Sequence, residues 1–219
     1  MGTSILKIKN MLNGDLSRIR NVIRFSNSTK IKDESVAEHS YFAAYYALIL
    51  AHTLQQTEVV AIDYGKMLAR ALLHDLDESI SGDFIRHFKY TDPELHSMLD
   101  EASRKLMKQE AFLDLFTAKY ACTEEGKGLI KQLYTYWNDA KLSGIEGDIV
   151  AFADFLSVLS YVMNEIDCGN HKLIQQLDDM YEYAESFNKR GIFQDYEEPK
   201  RWLQQVMFIL NEYIGGDRD

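Results

Sequence analysis

The chain has 219 residues, 46% hydrophobic, 26% charged and 12% aromatic, the profile of an ordinary globular protein able to bury a substantial core. Two prolines, twelve glycines and two cysteines (Cys122 and Cys168) exclude collagen-like, disordered and disulfide-scaffold classes, and so few breakers favour long helices. A formal charge of −10 argues against a large polynucleotide or an anionic membrane as partner.

The charge is uneven. Residues 1–32 hold Lys7, Lys9, Arg18, Arg20, Arg24, Lys30 and Lys32 against one acid, Asp15. A solvated basic face is one account; an arginine that meets a phosphate is the other. No apolar leader is visible, and the cysteines form no framework, so a cytoplasmic protein is expected. The longest apolar run, Tyr41 to Ala51, is too short to cross a bilayer and suits a buried helix.

In chain order, a first helix is expected over about 15–25, with Leu16, Ile19 and Ile23 on one face. A loop follows to Glu34. Ser35 and Glu38 form a capping box that opens a helix to about Leu54. Asp63 caps a third helix, with Leu68, Ala71 and Leu72 inward, that ends near Glu78. Asp92-Pro93 starts a helix with the stripe Leu95, Leu99, Ala102, Leu106. Thr123 caps one carrying Leu129, Leu133 and Trp137. Further helices are expected over about 146–166 and 172–187. Pro199 opens the last, with Trp202, Val206, Leu210 and Tyr213 inward. No strand signal competes, so the expectation is an all-α fold, a single helical bundle over 1–219.

Four polar residues stand where apolar ones belong. His39 lies among small and apolar residues near a helix start. Asp75, in the doublet His74-Asp75, extends the Leu68–Leu72 stripe. Asp154 interrupts the nearly uncharged run Ile149 to Leu156. Each alone has an ordinary explanation as a hydrogen-bonded core polar residue. Together, on three helices, they are most simply explained by one shared divalent metal. Two imidazoles and two carboxylates leave open coordination positions and suit Mn, Co, Fe, Ni or Mg better than a closed structural zinc site. Glu78 follows one turn later on the same face, placed to orient or deprotonate the attacking water and not to ligate.

These residues resemble the HD-domain metal-dependent phosphohydrolases, and most nearly the YfbR-like 5′-deoxynucleotidases. The likeness is carried by Val22-Ile-Arg24-Phe25 fifteen residues before His39, by Val36-Ala-Glu-His39-Ser, and by His74-Asp75-Leu-Asp-Glu78-Ser-Ile-Ser-Gly82-Asp83. Lys89-Tyr90, Asp154 and Gly169-Asn170 complete it, over about residues 15–175. The resemblance implies an HD-type bundle that removes phosphate from deoxynucleoside 5′-monophosphates with one divalent metal per chain. It implies His39, His74, Asp75 and Asp154 as ligands, Glu78 as activator of the water, and Arg24 on the substrate phosphate. Phe25 stands where the family usually has a tryptophan against the ribose 2′ position. Asp83 would contact the sugar or water near it, and Lys89 would complete the substrate site. A departure lies at 84–89, where Arg86 and His87 replace the prolines many members carry.

The alternatives are a deoxynucleoside triphosphate hydrolase of the same fold and a non-catalytic nucleotide-binding HD module. A di-iron HD oxygenase would need two more histidines between the His74-Asp75 doublet and Asp154, where only His87 and His96 are available. An HD-GYP phosphodiesterase would need a GYP that is absent. The expected partner is a small nucleotide, with neither polynucleotide nor membrane, and the expected assembly is a homodimer.

Overall fold

The computed structural model describes residues 4–83 and 92–215. The described residues are helical, and their only β pairing is two isolated bridges, Leu6 with Phe116 and Ile23 with Ser35. The chain divides into two compact units, one of Met1–Ser28, Glu34–Glu38 and Leu73–Asp139, the other of Thr29–Asp33, His39–Leu72 and Ala140–Asp219.

In the first unit, α1 (Ile8–Asn13) precedes a 3-10 turn over Asp15–Asn21. The helix expected to Phe25 stops here. Val22 turns extended, the Arg24 N–H donates to the Glu34 carbonyl (2.9 Å), and the Val36 N–H donates to the Val22 carbonyl (2.9 Å). Long-range pairing thus outcompetes local helix extension, and Arg24 is held by its own backbone. Helix α2 (Val36–Thr57) begins in this unit on the capping box. The Ser35 N–H donates to Glu38 Oε2 at 2.8 Å, and the Glu38 N–H donates to Ser35 Oγ at 3.2 Å.

Helix α3 (Tyr64–Leu73) starts in the second unit, where Asp63 Oδ1 accepts the Lys66 N–H at 2.9 Å. Its buried face is Met67, Arg70 and Ala71, continuing to His74; Leu72 stays 50% exposed. The expected Leu68–Leu72 stripe is therefore off by one position, and His74, not Asp75, extends the buried row. A turn over 74–77 separates α3 from the short α4 (Glu78–Ser81). Two contacts seat that turn in the first unit. Leu76 packs in the core with Met107, Phe112 and Trp137, and Trp137 Nε1 donates to Asp77 Oδ1 (3.0 Å).

Helix α5 (Pro93–Leu106) has the expected cap, Asp92 Oδ1 accepting the Glu94 N–H at 2.8 Å. Of its expected stripe, only Leu95 and Leu99 are half-buried; Ala102 and Leu106 are exposed. The segment to Ala121 closes with the short α6 (Ala118–Ala121), and Thr123 caps α7 (Glu124–Asn138).

The second unit is organised around α8 (Ile145–Asp167), whose inward face is buried along its whole length. By length and composition this helix could cross a membrane, but 67% of its apolar window is buried inside the protein, as in a core helix. Phe152 makes edge-to-face contacts with Phe187 (5.1 Å) and Phe193 (5.0 Å). Around it lie α9 (Gln175–Ser186), α10 (Gly191–Asp195) and α11 (Glu197–Gly215). On α11, Trp202, Val206 and Leu210 are buried as expected, and the helix starts two residues before Pro199. On α2, the run from Tyr41 is only half inward, since Tyr41, Phe42, Tyr45 and Ile49 remain exposed.

A buried carboxylate fixes the segment Thr29–Asp33 to the end of α8. Glu165, 2% exposed, accepts the Ile31 N–H (2.7 Å), the Lys32 N–H (2.8 Å) and Asn170 Nδ2 (2.8 Å). Burial alone would raise its pKa. The Ile31, Asn170 and Lys32 hydrogen bonds and the Lys30 charge outweigh it and hold the carboxyl below its ordinary value. Its stabilising contribution is therefore present at neutral pH and lost as the pH falls below about 4.5. Glu165→Gln should cost about 1.5–3 kcal/mol at pH 7, because a neutral amide cannot accept from all three donors. Urea unfolding measures this, and the gap to wild type should narrow toward pH 3. A variant as stable as wild type at pH 7 contradicts the clamp.

Candidate active site

Two pairs of polar side chains are set by the elements just described. In the second unit, His39 lies in the first turn of α2, its side chain fully buried, and Asp154 lies midway along α8, its side chain 14% exposed. His39 Nε2 is 2.8 Å from Asp154 Oδ1. Ser157, one turn further on α8, donates its hydroxyl to the His39 carbonyl (3.2 Å), tying the two helices at the level of the pair. In the first unit, His74 and Asp75 occupy the turn after α3, with His74 Nε2 3.0 Å from Asp75 Oδ2.

Each of the four residues offers one ligand atom, and these atoms all lie within 4.8 Å of one another. Two ligands about 2.1 Å from one ion and at right angles lie about 3.0 Å apart, so both observed pairs fit adjacent coordination positions. The donor set, two imidazole nitrogens and two carboxylates with no thiolate, fits a hard or borderline divalent cation. This His/Asp cluster can bind a metal.

Of the remaining expected residues, Glu78, Arg24, Phe25 and Asp83 lie in the first unit. Glu78 opens α4, and its N–H donates to the Asp75 carbonyl (3.1 Å). Its carboxyl is pushed up to about 9, first by burial, then by the charges of Asp75 and Asp83, against the opposing pull of Arg24. Arg24 and Glu34 form a largely buried ion pair (3.5 Å), and the guanidinium lies over the Phe25 ring, 5.4 Å from its centroid. Phe25 has φ +53°, a left-handed conformation uncommon for a bulky residue. Its N–H donates to Asp83 Oδ2 at 3.0 Å. Gly82, at φ +76°, makes the turn that delivers Asp83. Asp83, expected at the sugar, thus also holds the backbone of the Arg24-Phe25 turn. Lys89, with Arg86 and His87, lies outside the described residues.

Two functional neighbours escaped the sequence reading. Glu34 pairs with Arg24 by both its carbonyl and its carboxylate. Lys141 Nζ lies 2.8 Å from Asp154 Oδ2. Glu34 sits beside the capping box and Lys141 in a polar loop, positions with no periodic signal.

Comparison with known proteins points to a family and a fold. The model of the family described as 5′-deoxynucleotidase YfbR-like matches residues 12–192. Proteins named 5′-deoxynucleotidase from Yersinia pestis and Yersinia pseudotuberculosis are 26% identical over 170 residues, covering 73% of this chain and 76% of theirs. Among solved structures, an HD-domain phosphohydrolase from Listeria innocua is similar with a TM-score of 0.63, at 24% identity over 90% of this chain and 91% of its own. A protein from Pyrococcus horikoshii is similar with a TM-score of 0.67, at 20% identity over 94% of this chain and 99% of its own. The structural likenesses speak to the fold.

The raised carboxyl of Glu78 has a measurable signature. A group whose pKa rises from 4.5 unfolded to about 9 folded destabilises the fold increasingly as the pH climbs between those values. In chelator-treated protein, Glu78→Gln should therefore melt higher than wild type at pH 8, with the difference vanishing near pH 4. Equal melting temperatures at pH 8 contradict the electrostatic setting described for Glu78.

Proposed function

The chain belongs to the YfbR-like 5′-deoxynucleotidase family and is a hydrolase, and from that premise we propose that it removes phosphate from deoxynucleoside 5′-monophosphates with one divalent cation per chain. The observation that carries this reading is the convergence of His39, His74, Asp75 and Asp154 ligand atoms within 4.8 Å. When bound, the cation would draw charge from the phosphoryl oxygens and lower the pKa of water beside it.

The chain's own residues supply the rest. Arg24 holds the phosphate through its guanidinium, a planar fork suited to two phosphate oxygens at once. Its place is set by the Arg24-to-Glu34 backbone hydrogen bond and the Glu34 carboxylate. Phe25 lies against the sugar, and Asp83 fixes it there through the Phe25 N–H. Glu78 accepts the proton of the attacking water as the water oxygen bonds to phosphorus and the ester P–O bond breaks, and the departing 5′ oxygen takes up a proton to leave as the nucleoside hydroxyl. A carboxyl near 9 is a poor base precursor at neutral pH, because it is already protonated. A cation held beside Asp75 would offset one cause of that shift, the Asp75 charge, which ranks after burial. The net charge of −10 fits a small nucleotide better than a polynucleotide. The same reading makes the protein a cytoplasmic homodimer, whose second copy would cover the apolar face of α2 left open at Tyr41, Phe42, Tyr45 and Ile49.

A phosphate-release screen tests the proposal across deoxy- and ribonucleoside mono- and triphosphates, with Mn, Co and Mg each supplied. Orthophosphate release from deoxynucleoside monophosphates is expected. Release of triphosphate or pyrophosphate from deoxynucleoside triphosphates would replace the monophosphate reading. Arg24→Ala should cost about 2–4 kcal/mol in kcat/KM, with Lys restoring only part. Glu78→Gln should keep the cation while losing about 10²-fold or more in kcat; loss of the cation with activity would make Glu78 a ligand.

A further inference from the structure

The Asp154 carboxylate is engaged at both oxygens within the second unit. Oδ1 lies 2.8 Å from His39 Nε2, and Oδ2 lies 2.8 Å from Lys141 Nζ. We propose that Lys141 is a positioning residue for Asp154: its ammonium takes the outer oxygen and so fixes the inner one beside the His39 nitrogen, ready to share a cation with it. This rests on the metal reading above.

The position of Lys141 is built, not incidental. It lies in the turn between α7 and α8, where its carbonyl accepts from Arg190 Nη1 at 3.2 Å. The same Arg190 nitrogen donates to Asp148 Oδ1 at 3.0 Å. Asp148 is 1% exposed, and its other oxygen accepts the Ile192 N–H (3.3 Å). A buried carboxylate at the start of α8 therefore anchors Arg190. Arg190 anchors the Lys141 backbone, and the Lys141 side chain reaches the ligand carboxylate. The Asp154 side chain is 14% exposed, so an ion pair there is screened less than one in open water.

The chemistry requires such a partner. A ligand carboxylate can turn about its side-chain bonds, and each turn exchanges the oxygen it presents. A donor on the outer oxygen removes that freedom, and partners of this kind are worth about 10–100-fold in metal affinity. An opposing effect exists, because the ammonium and the cation repel. If repulsion prevailed, Lys141 would be a placeholder expelled by the cation, and its removal would tighten binding. Orientation prevails in this proposal because the ammonium and the His39 nitrogen address different oxygens of the carboxylate.

The test is a calorimetric titration of the chelator-stripped full chain with Mn2+, for wild type, Lys141→Met and Lys141→Arg, with melting temperatures in chelator recorded alongside. Lys141→Met should bind Mn2+ about 10–100-fold more weakly. Lys141→Arg should recover most of the affinity, since a guanidinium can also donate to Oδ2. Melting temperatures in chelator should be nearly equal. Binding by Lys141→Met as tight as wild type, or tighter, overturns the proposal. So does an affinity loss that tracks a lower melting temperature and is not rescued by Arg. Failure of wild type to bind Mn2+ or Co2+ would instead sink the metal reading itself.

Discussion

A carboxylate taken out of water needs positive charge or donors close by, and that requirement shapes both units of this protein. In the first, burial and the charges of Asp75, Asp83 and Asp77, opposed by Arg24, drive Glu78 up to about 9. In the second, Asp154 has His39 on one oxygen and Lys141 on the other, while Asp148 and Glu165 are each fully supplied with donors. The contrast separates structural acids from the rest. Glu165, rich in amide donors, is held below its ordinary pKa; Glu78, surrounded by acids, is held far above it.

The scaffold explains why these acids can be held at all. Leu76 and the Trp137–Asp77 hydrogen bond root the 74–77 turn in an apolar core, so His74 and Asp75 are carried by a seated segment. Asp154 sits on α8, the most buried helix of its unit. The Arg24-Phe25 turn is the strained part. Its left-handed Phe25 is fixed by Asp83, and Arg24 by Glu34. Strain of this kind, held by hydrogen bonds from other segments, is common at functional turns.

Much of this was legible in the sequence because local chemistry dictated it. The Ser35–Glu38 box, the Asp63 and Asp92 caps and the largely apolar character of α8 each act over a few residues, and each matches the structure. His39, His74, Asp75 and Asp154 were conspicuous as polar residues in apolar rows, and their ligand atoms do converge. The misreadings share a cause. Residues 22–25 are not helical because their backbone pairs with 34–36, a choice made across a loop. The buried face of α3 was misplaced by one residue because Met67, Leu68, Ala71 and Leu72 support either register and the winning one buries an arginine stem, Arg70. Lys141 and Glu34 are polar residues in turns, and only their three-dimensional neighbours give them a role.

The proposed function rests on His39, His74, Asp75 and Asp154 serving as the ligands of one divalent cation. The most direct measurement is metal content per chain by elemental analysis, after loading with Mn2+ and removal of the excess, for wild type, Asp75→Asn and Asp154→Asn. One ion per wild-type chain, lost in both variants while their helical content is unchanged, is the predicted result. A full complement retained by either variant, or no ion in the wild type, contradicts it.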